Sequence, residues 1–213
     1  MQIVLRGLLQ CGALLLLIIA AQNLNAQKIL SIVYVENSTP GLPEKLKGKL
    51  TDEMESIADK DFLLFISNST GDPNRMGDYY TSNKGGVQRR LAILDSESND
   101  QPIFTTDKKR IWSLLAEQDL KSIGKINLYM YFTSDFLKSK LDSESEINLM
   151  LGLFPRELSV AFGNVPVEVN IFYSEANPAI ADKYSKSLET KVTFRNEGLY
   201  EQKGLTCKAV NLN

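Results

Sequence analysis

The sequence predicts an α/β fold: a three-layer sandwich with a mostly parallel central sheet of about five or six strands, helices on both faces and an edge strand near the C-terminus. Three observations lead there. Short apolar runs alternate with longer amphipathic stretches, the rhythm of strand and helix in turn. Three of the runs, Ile29 to Val35 (ILSIVYV), Phe62 to Ile66 (FLLFI) and Ile126 to Phe132 (INLYMYF), are close to continuous in hydrophobicity, as strands covered on both faces are. Apolar residues make up 43% of the chain, enough to build a core and to exclude general disorder.

The elements follow in order. Residues 1 to 26 read as a secretory signal: Arg6 gives the positive start, Gly12 to Ala21 the apolar centre, and Leu24-Asn25-Ala26 the small-residue exit before Gln27. The apolar centre is shorter than the ~20 residues that cross a bilayer. Cleavage after Ala26 is therefore expected, leaving residues 27 to 213 as a single domain with no integral membrane segment, secreted or held in the periplasm or cell envelope. After the first strand, Pro43 opens a helix whose Leu46, Leu50, Met54 and Ile57 form one apolar stripe, while Lys45, Lys47, Lys49, Asp52, Glu53 and Glu55 face water. Phe62 to Ile66 is the second strand. Residues 67 to 88 are irregular, with Gly71, Pro73, Gly77, Gly85 and Gly86 among polar residues; so long a loop is functional, mobile, or hides a short element. Arg90 to Leu94 reads as a short strand, and Thr106 as the cap of a helix through Ile111, Leu114 and Leu115 toward Leu120. The central strand Ile126 to Phe132 precedes a helix over much of Phe136 to Leu153, closed by Gly152 and Pro155. Val167 to Tyr173 (VEVNIFY) is a strand, Pro178 to Ser185 a short helix, and Leu188 to Arg195 (LETKVTFR) alternates as a half-exposed edge strand does.

Composition excludes several functions. The full chain has a net charge of −2, with its basic residues spread out, so neither nucleic acid nor an anionic membrane surface is an expected partner. It contains no histidine. Imidazole-dependent nucleophile activation, histidine acid-base chemistry and mixed histidine-carboxylate zinc sites are closed to it. Any metal would be a hard cation held by oxygens, magnesium or calcium. With Cys11 inside the signal, Cys207 is left alone and no internal disulfide can form.

Two copies of Asn-Ser-Thr follow apolar runs, at Asn37-Ser38-Thr39 and Asn68-Ser69-Thr70, and Thr133-Ser134-Asp135 follows the central strand. In an open α/β sheet the ligand crevice lies outside the carboxyl ends of the strands, so these residues share a candidate rim. Asn37 and Asn68 also satisfy the pattern of a glycan acceptor, though Pro40 makes the first a poor one. The plainest role for all of them is turn chemistry, with Asn and Ser side chains bonded to nearby backbone.

Glu36-x-Ser38 after the first strand and Phe132-Thr133-Ser134-Asp135 after the central one resemble a von Willebrand factor A-type domain. That family places an acidic residue and hydroxyls behind its first strand and a distant aspartate behind a later one, and holds a divalent cation between them to grip an acidic ligand. The resemblance implies a metal set of Glu36, Ser38 and Asp135. Glu36 stands where the family has aspartate and Pro40 where it has a second serine, so the implied cation is weakly bound magnesium or calcium, or none. It further implies a non-enzymatic module that binds a protein or glycan partner through a rim of Asn37, Thr39, Asn68, Ser69, Thr70, Thr133 and Ser134, with no catalytic residues. Two alternatives stand beside it. One is a secreted hydrolase working with carboxylates such as Glu36 and Asp135. The other rests on Lys28 to Leu50, which is similar to the opening of flavodoxins and implies a phosphate or FMN site at a helix N-terminus.

Overall fold

The computed structural model describes residues 28–36, 43–57, 62–67, 78–81, 85–86, 104–118, 120, 123–141, 147–193 and 204–213. Among them, one sheet contains β1 (Lys28–Val35), β2 (Phe62–Ser67), β3 (Asp78–Thr81), β4 (Ile123–Phe132), β5 (Val167–Tyr173) and β6 (Leu205–Asn211), in the order β3-β2-β1-β4-β5-β6. All neighbours run parallel except β3, which is antiparallel to β2. The helices are α1 (Glu44–Ile57), α2 (Phe104–Ala116), α3 (Ser134–Lys140), a π-helical segment over Asn148–Leu153 that continues into α4 (Phe154–Ala161), and α5 (Pro178–Thr193). The chain starts at the centre of the sheet, moves outward through β2 and β3, then returns to the other side of β1. Numbered by themselves in chain order, the five parallel strands follow 2-1-3-4-5, the order of flavodoxin-like sheets, with β3 added antiparallel at the β2 edge, and the topological switch point lies between β1 and β4.

The expected α/β sandwich is present. β1 is buried on both sides, with Leu30, Ile32 and Tyr34 in one core and Val33 and Val35 in the other. On the second of these faces α1 lays Leu46, Leu50, Met54 and Ile57 against Val33, Val35, Leu63, Tyr131 and Phe172. The stripe read from the sequence is the stripe that is buried. The opposite face carries the larger core, to which α2 brings Ile111, α3 Phe136 and Leu137, α4 Phe154 and Leu158, and α5 Tyr184, Leu188 and Val192. Burying one such side chain fully stabilises the fold by roughly 1.5–3 kcal/mol, which is why the helices stay on the sheet.

The irregular stretch hides a short element, one of the three readings open for it: β3, whose backbone pairs Leu64 with Tyr80 and Phe65 with Tyr79. Three expectations need correction. Thr106 lies inside α2 rather than at its cap, because the helix already begins at Phe104. Gly152 and Pro155 do not stop a helix. Phe154 N–H bonds five residues back to Leu149 C=O, and Pro155, lacking an N–H, sits in the first turn of α4 where none is needed. Gly152 is buried, and a Cβ there would make an ordinary van der Waals contact of 3.7 Å with the Lys191 carbonyl of α5, so packing alone does not demand glycine. The real stop is at Gly163 and Asn164, both at positive φ, with their N–H groups bonded to Val160 and Ser159 carbonyls at 3.1 and 2.8 Å. Finally, Leu188 to Thr193 belongs to α5, and the C-terminal edge strand is β6. The signal segment and the Arg90 to Leu94 strand lie outside the described residues.

Candidate functional site at the strand ends

The site is built by the parallel ladder of β1 and β4. Val35 pairs with Tyr131, and Glu36 N–H bonds to Tyr131 C=O at 2.9 Å, which carries the ladder one residue past the end of β1. Glu36 continues the alternation of Leu30, Ile32 and Tyr34 and is fully buried, at 0% exposure. A buried carboxylate needs donors aimed at it. Thr133, the residue after β4, supplies one: its hydroxyl donates to Glu36 Oε2 at 2.7 Å, the length of a charge-assisted bond. The same Thr133 oxygen accepts the Phe136 N–H at 3.2 Å and so caps α3. One hydroxyl thus ties the end of β1, the end of β4 and the start of α3 together at the switch point.

The rim continues across the sheet. The Ser134 hydroxyl donates to the Ser174 carbonyl just past β5. Next to it, Glu175 N–H bonds to Asn211 Oδ1 and its carbonyl accepts Asn211 Nδ2–H, both at 2.9 Å, so the side chain at the end of β6 grips the backbone beyond β5 twice. Glu175 Oε1 accepts Asn177 N–H at 2.9 Å, and Asn177 Oδ1 accepts Ala179 N–H at 3.0 Å to cap α5. β1, β4, β5 and β6 are therefore laced at their carboxyl ends by side chains as well as by backbone.

Under the rim, on the α1 face, Tyr131 stacks on Phe172 with ring centroids 5.0 Å apart, and Lys49 Nζ sits 5.2 Å from the Phe172 centroid. The Tyr131 hydroxyl is buried with no hydrogen-bond partner among the described residues. Burial, followed by the negative charge of Glu53, pushes this phenol far above its ordinary range.

Of the residues read as a cation set, Glu36 is buried, Asp135 is exposed on the first turn of α3, and Ser38 lies outside the described residues. A hydroxyl bond to Glu36 comes from Thr133, a rim residue outside the expected cation set. Among the described residues no three His, Cys, Asp or Glu side chains gather as metal ligands do. Thr133 and Ser134 stand on the rim, while Asn37, Thr39, Asn68, Ser69 and Thr70, including both candidate glycan acceptors, lie outside the described residues. Ser174, Glu175 and Asn211 were missed. Each follows or ends a strand on the same edge, a signal available for the first two once β5 was assigned.

Among the described residues no helix is long and apolar enough to cross a membrane. Fold and rim define an α/β domain with a polar switch point. No protein-family model and no curated protein matches the chain.

Proposed function

We propose that this chain is a non-enzymatic binding module of the cell exterior or envelope, similar to a von Willebrand factor A-type domain, which grips a protein or glycan partner through its strand-end rim. The observation that carries the reading is the Glu36–Thr133 bond at the switch point. It joins an acidic residue behind the first strand to a hydroxyl behind a later one, at the crevice where open α/β sheets bind ligands.

Any cation on this rim is weak, for its protein oxygens are few and magnesium demands near-octahedral geometry. The test is calorimetry with magnesium and calcium, joined to capture of partners from the native envelope extract by the parent chain and by Asp135→Ala and Ser134→Ala. Weak or undetectable cation binding that Asp135→Ala abolishes, with a partner lost in the rim variants, supports the reading. Tight cation binding indifferent to Asp135, or a partner retained by both variants, overturns it.

A further inference from the structure

The two faces of the sheet are covered unequally. Among the described residues α2 to α5 all pack on the larger core, and α1 is the one helix on the other side, over β1, β2 and the carboxyl ends of β4 and β5. A parallel sheet is ordinarily covered on both faces. Toward the amino ends of β4, β5 and β6 this second face instead carries polar side chains in register: Asn127 beside Glu168 and Thr206 in one row, Tyr129 beside Asn170 and Lys208 in the next. All six are half-buried or exposed. With strands about 4.8 Å apart and rows about 6.6 Å apart, they form a floor of roughly 10 by 7 Å. Lys49 and Glu53 of α1 bound it above Tyr131 and Phe172. Two observations on β4 point to a ligand. Asn127 Oδ1 is a buried acceptor with no partner among the described residues, while its Nδ2–H reaches Tyr129 Oη only at 3.4 Å. The fully buried Tyr131 hydroxyl, on the same face, is unpartnered as well. Buried polar atoms are nearly always bonded, so two orphans beside one open floor need an explanation.

We propose that this floor binds a neutral, hydroxyl-rich ligand, a glycan, laid across β4, β5 and β6. The class follows from the groups present. Lys49, Lys125 and Lys208 are matched by Asp52, Glu53 and Glu168, with Lys125 bonded to Glu168 at 2.6 Å and Lys49 bonded to Glu53, so neither an anion nor a cation is selected. The floor lacks the cluster of apolar side chains that a protein interface needs at its centre. It offers two side-chain amides, which donate and accept, and a hydroxyl is the ligand group that does both in return. A turn of the half-buried Asn127 amide brings its unpaired oxygen to such a hydroxyl, and the Tyr129 ring supplies an apolar surface for the C–H groups of a sugar. The site is separate from the strand-end rim and does not rest on Glu36 or Thr133.

The experiment titrates the full chain with cellohexaose and with the neutral glycan fraction of the native envelope extract, following the amide signals of β4 to β6 by NMR at low and high salt. The Asn127, Tyr129 and Asn170 signals shift saturably, with an affinity indifferent to salt because the ligand is uncharged. Asn127→Ala and Asn170→Ala each weaken binding about tenfold, the effect of one or two lost hydrogen bonds. Asp135→Ala at the rim leaves it unchanged, so failure here and failure at the rim are read separately. Thr206→Arg, at an exposed position, covers the floor and abolishes binding, which keeps the test decisive if an asparagine variant does not fold. No shift with either probe, shifts confined to other strands, binding that falls steeply with salt, or binding that survives Thr206→Arg overturns the proposal.

Discussion

Thr133 does two jobs with one oxygen, donating to the buried Glu36 carboxylate and accepting from Phe136 N–H. Thr133→Ala removes a hydroxyl donor to the Glu36 carboxylate and uncaps α3, and is expected to cost about 2–4 kcal/mol in chemical denaturation, the sum of a lost charged bond and a lost cap. Thr133→Ser keeps both bonds and should cost under ~1 kcal/mol; equal losses in the two variants would show that the methyl packing matters and the hydroxyl does not. Tyr131 and Cys207 make a second test. Burial, then Glu189, pushes the Cys207 thiol up to about 12, and Tyr131 is raised still further. In the unfolded chain the two groups titrate near 9.0 and 10.0, so above those values the folded form holds protons that the unfolded form has released. Stability present below pH 9 is therefore lost as pH rises, by up to ~1.4 kcal/mol per pH unit for each group. Denaturation curves from pH 8 to 11 should flatten above pH 9 in Cys207→Ala and above pH 10 in Tyr131→Phe; slopes identical to the parent's would refute the assignment. Glu36, Thr133 and Ser134 were legible as rim residues because each follows an apolar run. That Thr133 is the group bonded to Glu36 was not legible, since it depends on the one-residue extension of the β1–β4 ladder.

Helices and strands were legible in proportion to the length of their patterns. α1 showed four stripe positions over its fourteen residues, and all four are buried. The tail of α5 misled because Leu188, Thr190 and Val192 alternate over a short window, and a period of two and a period of near four both place Leu188 and Val192 together. Only the longer stripe of Ala181, Tyr184, Leu188 and Val192 separates the two periods, and it is the stripe in the core. β6 (LTCKAVN) was hidden by small side chains that carry little hydrophobic signal. α5 is anchored at its start by Asn177 and at its first turns by Tyr173, whose hydroxyl donates to the Ala181 carbonyl at 2.7 Å. Asn177→Ala removes the cap and should lower stability by about 1 kcal/mol. A thermal or denaturant midpoint unchanged from the parent would mean that the helix start is held by Tyr173 alone.

At the scale of the whole molecule, the secretory reading predicts a mature chain beginning at Gln27, and mass analysis of the N-terminus of the native product checks it; a product that starts at Met1 and stays with the membrane fraction contradicts both the processing and the location. The sheet order has a further consequence, in time. Paired residues of β4 and β5 are 41 apart in the chain (Ile126 and Val167) and those of β5 and β6 38 apart (Val167 and Leu205), whereas Glu36 and Thr133 at the central seam are 97 apart. Chain-closure entropy grows with that separation, and contacts so far apart form after nearer ones have reduced the search. The β1–β2 pair, with partners 32 residues apart (Leu30 and Phe62), and the half from β4 to β6 then assemble first, and the seam between β1 and β4 closes later. Substitutions at the Glu36–Thr133 bond should accordingly leave the folding rate almost untouched and appear in the unfolding rate, so the residue that locks the seam governs how long the domain stays folded rather than how fast it gets there.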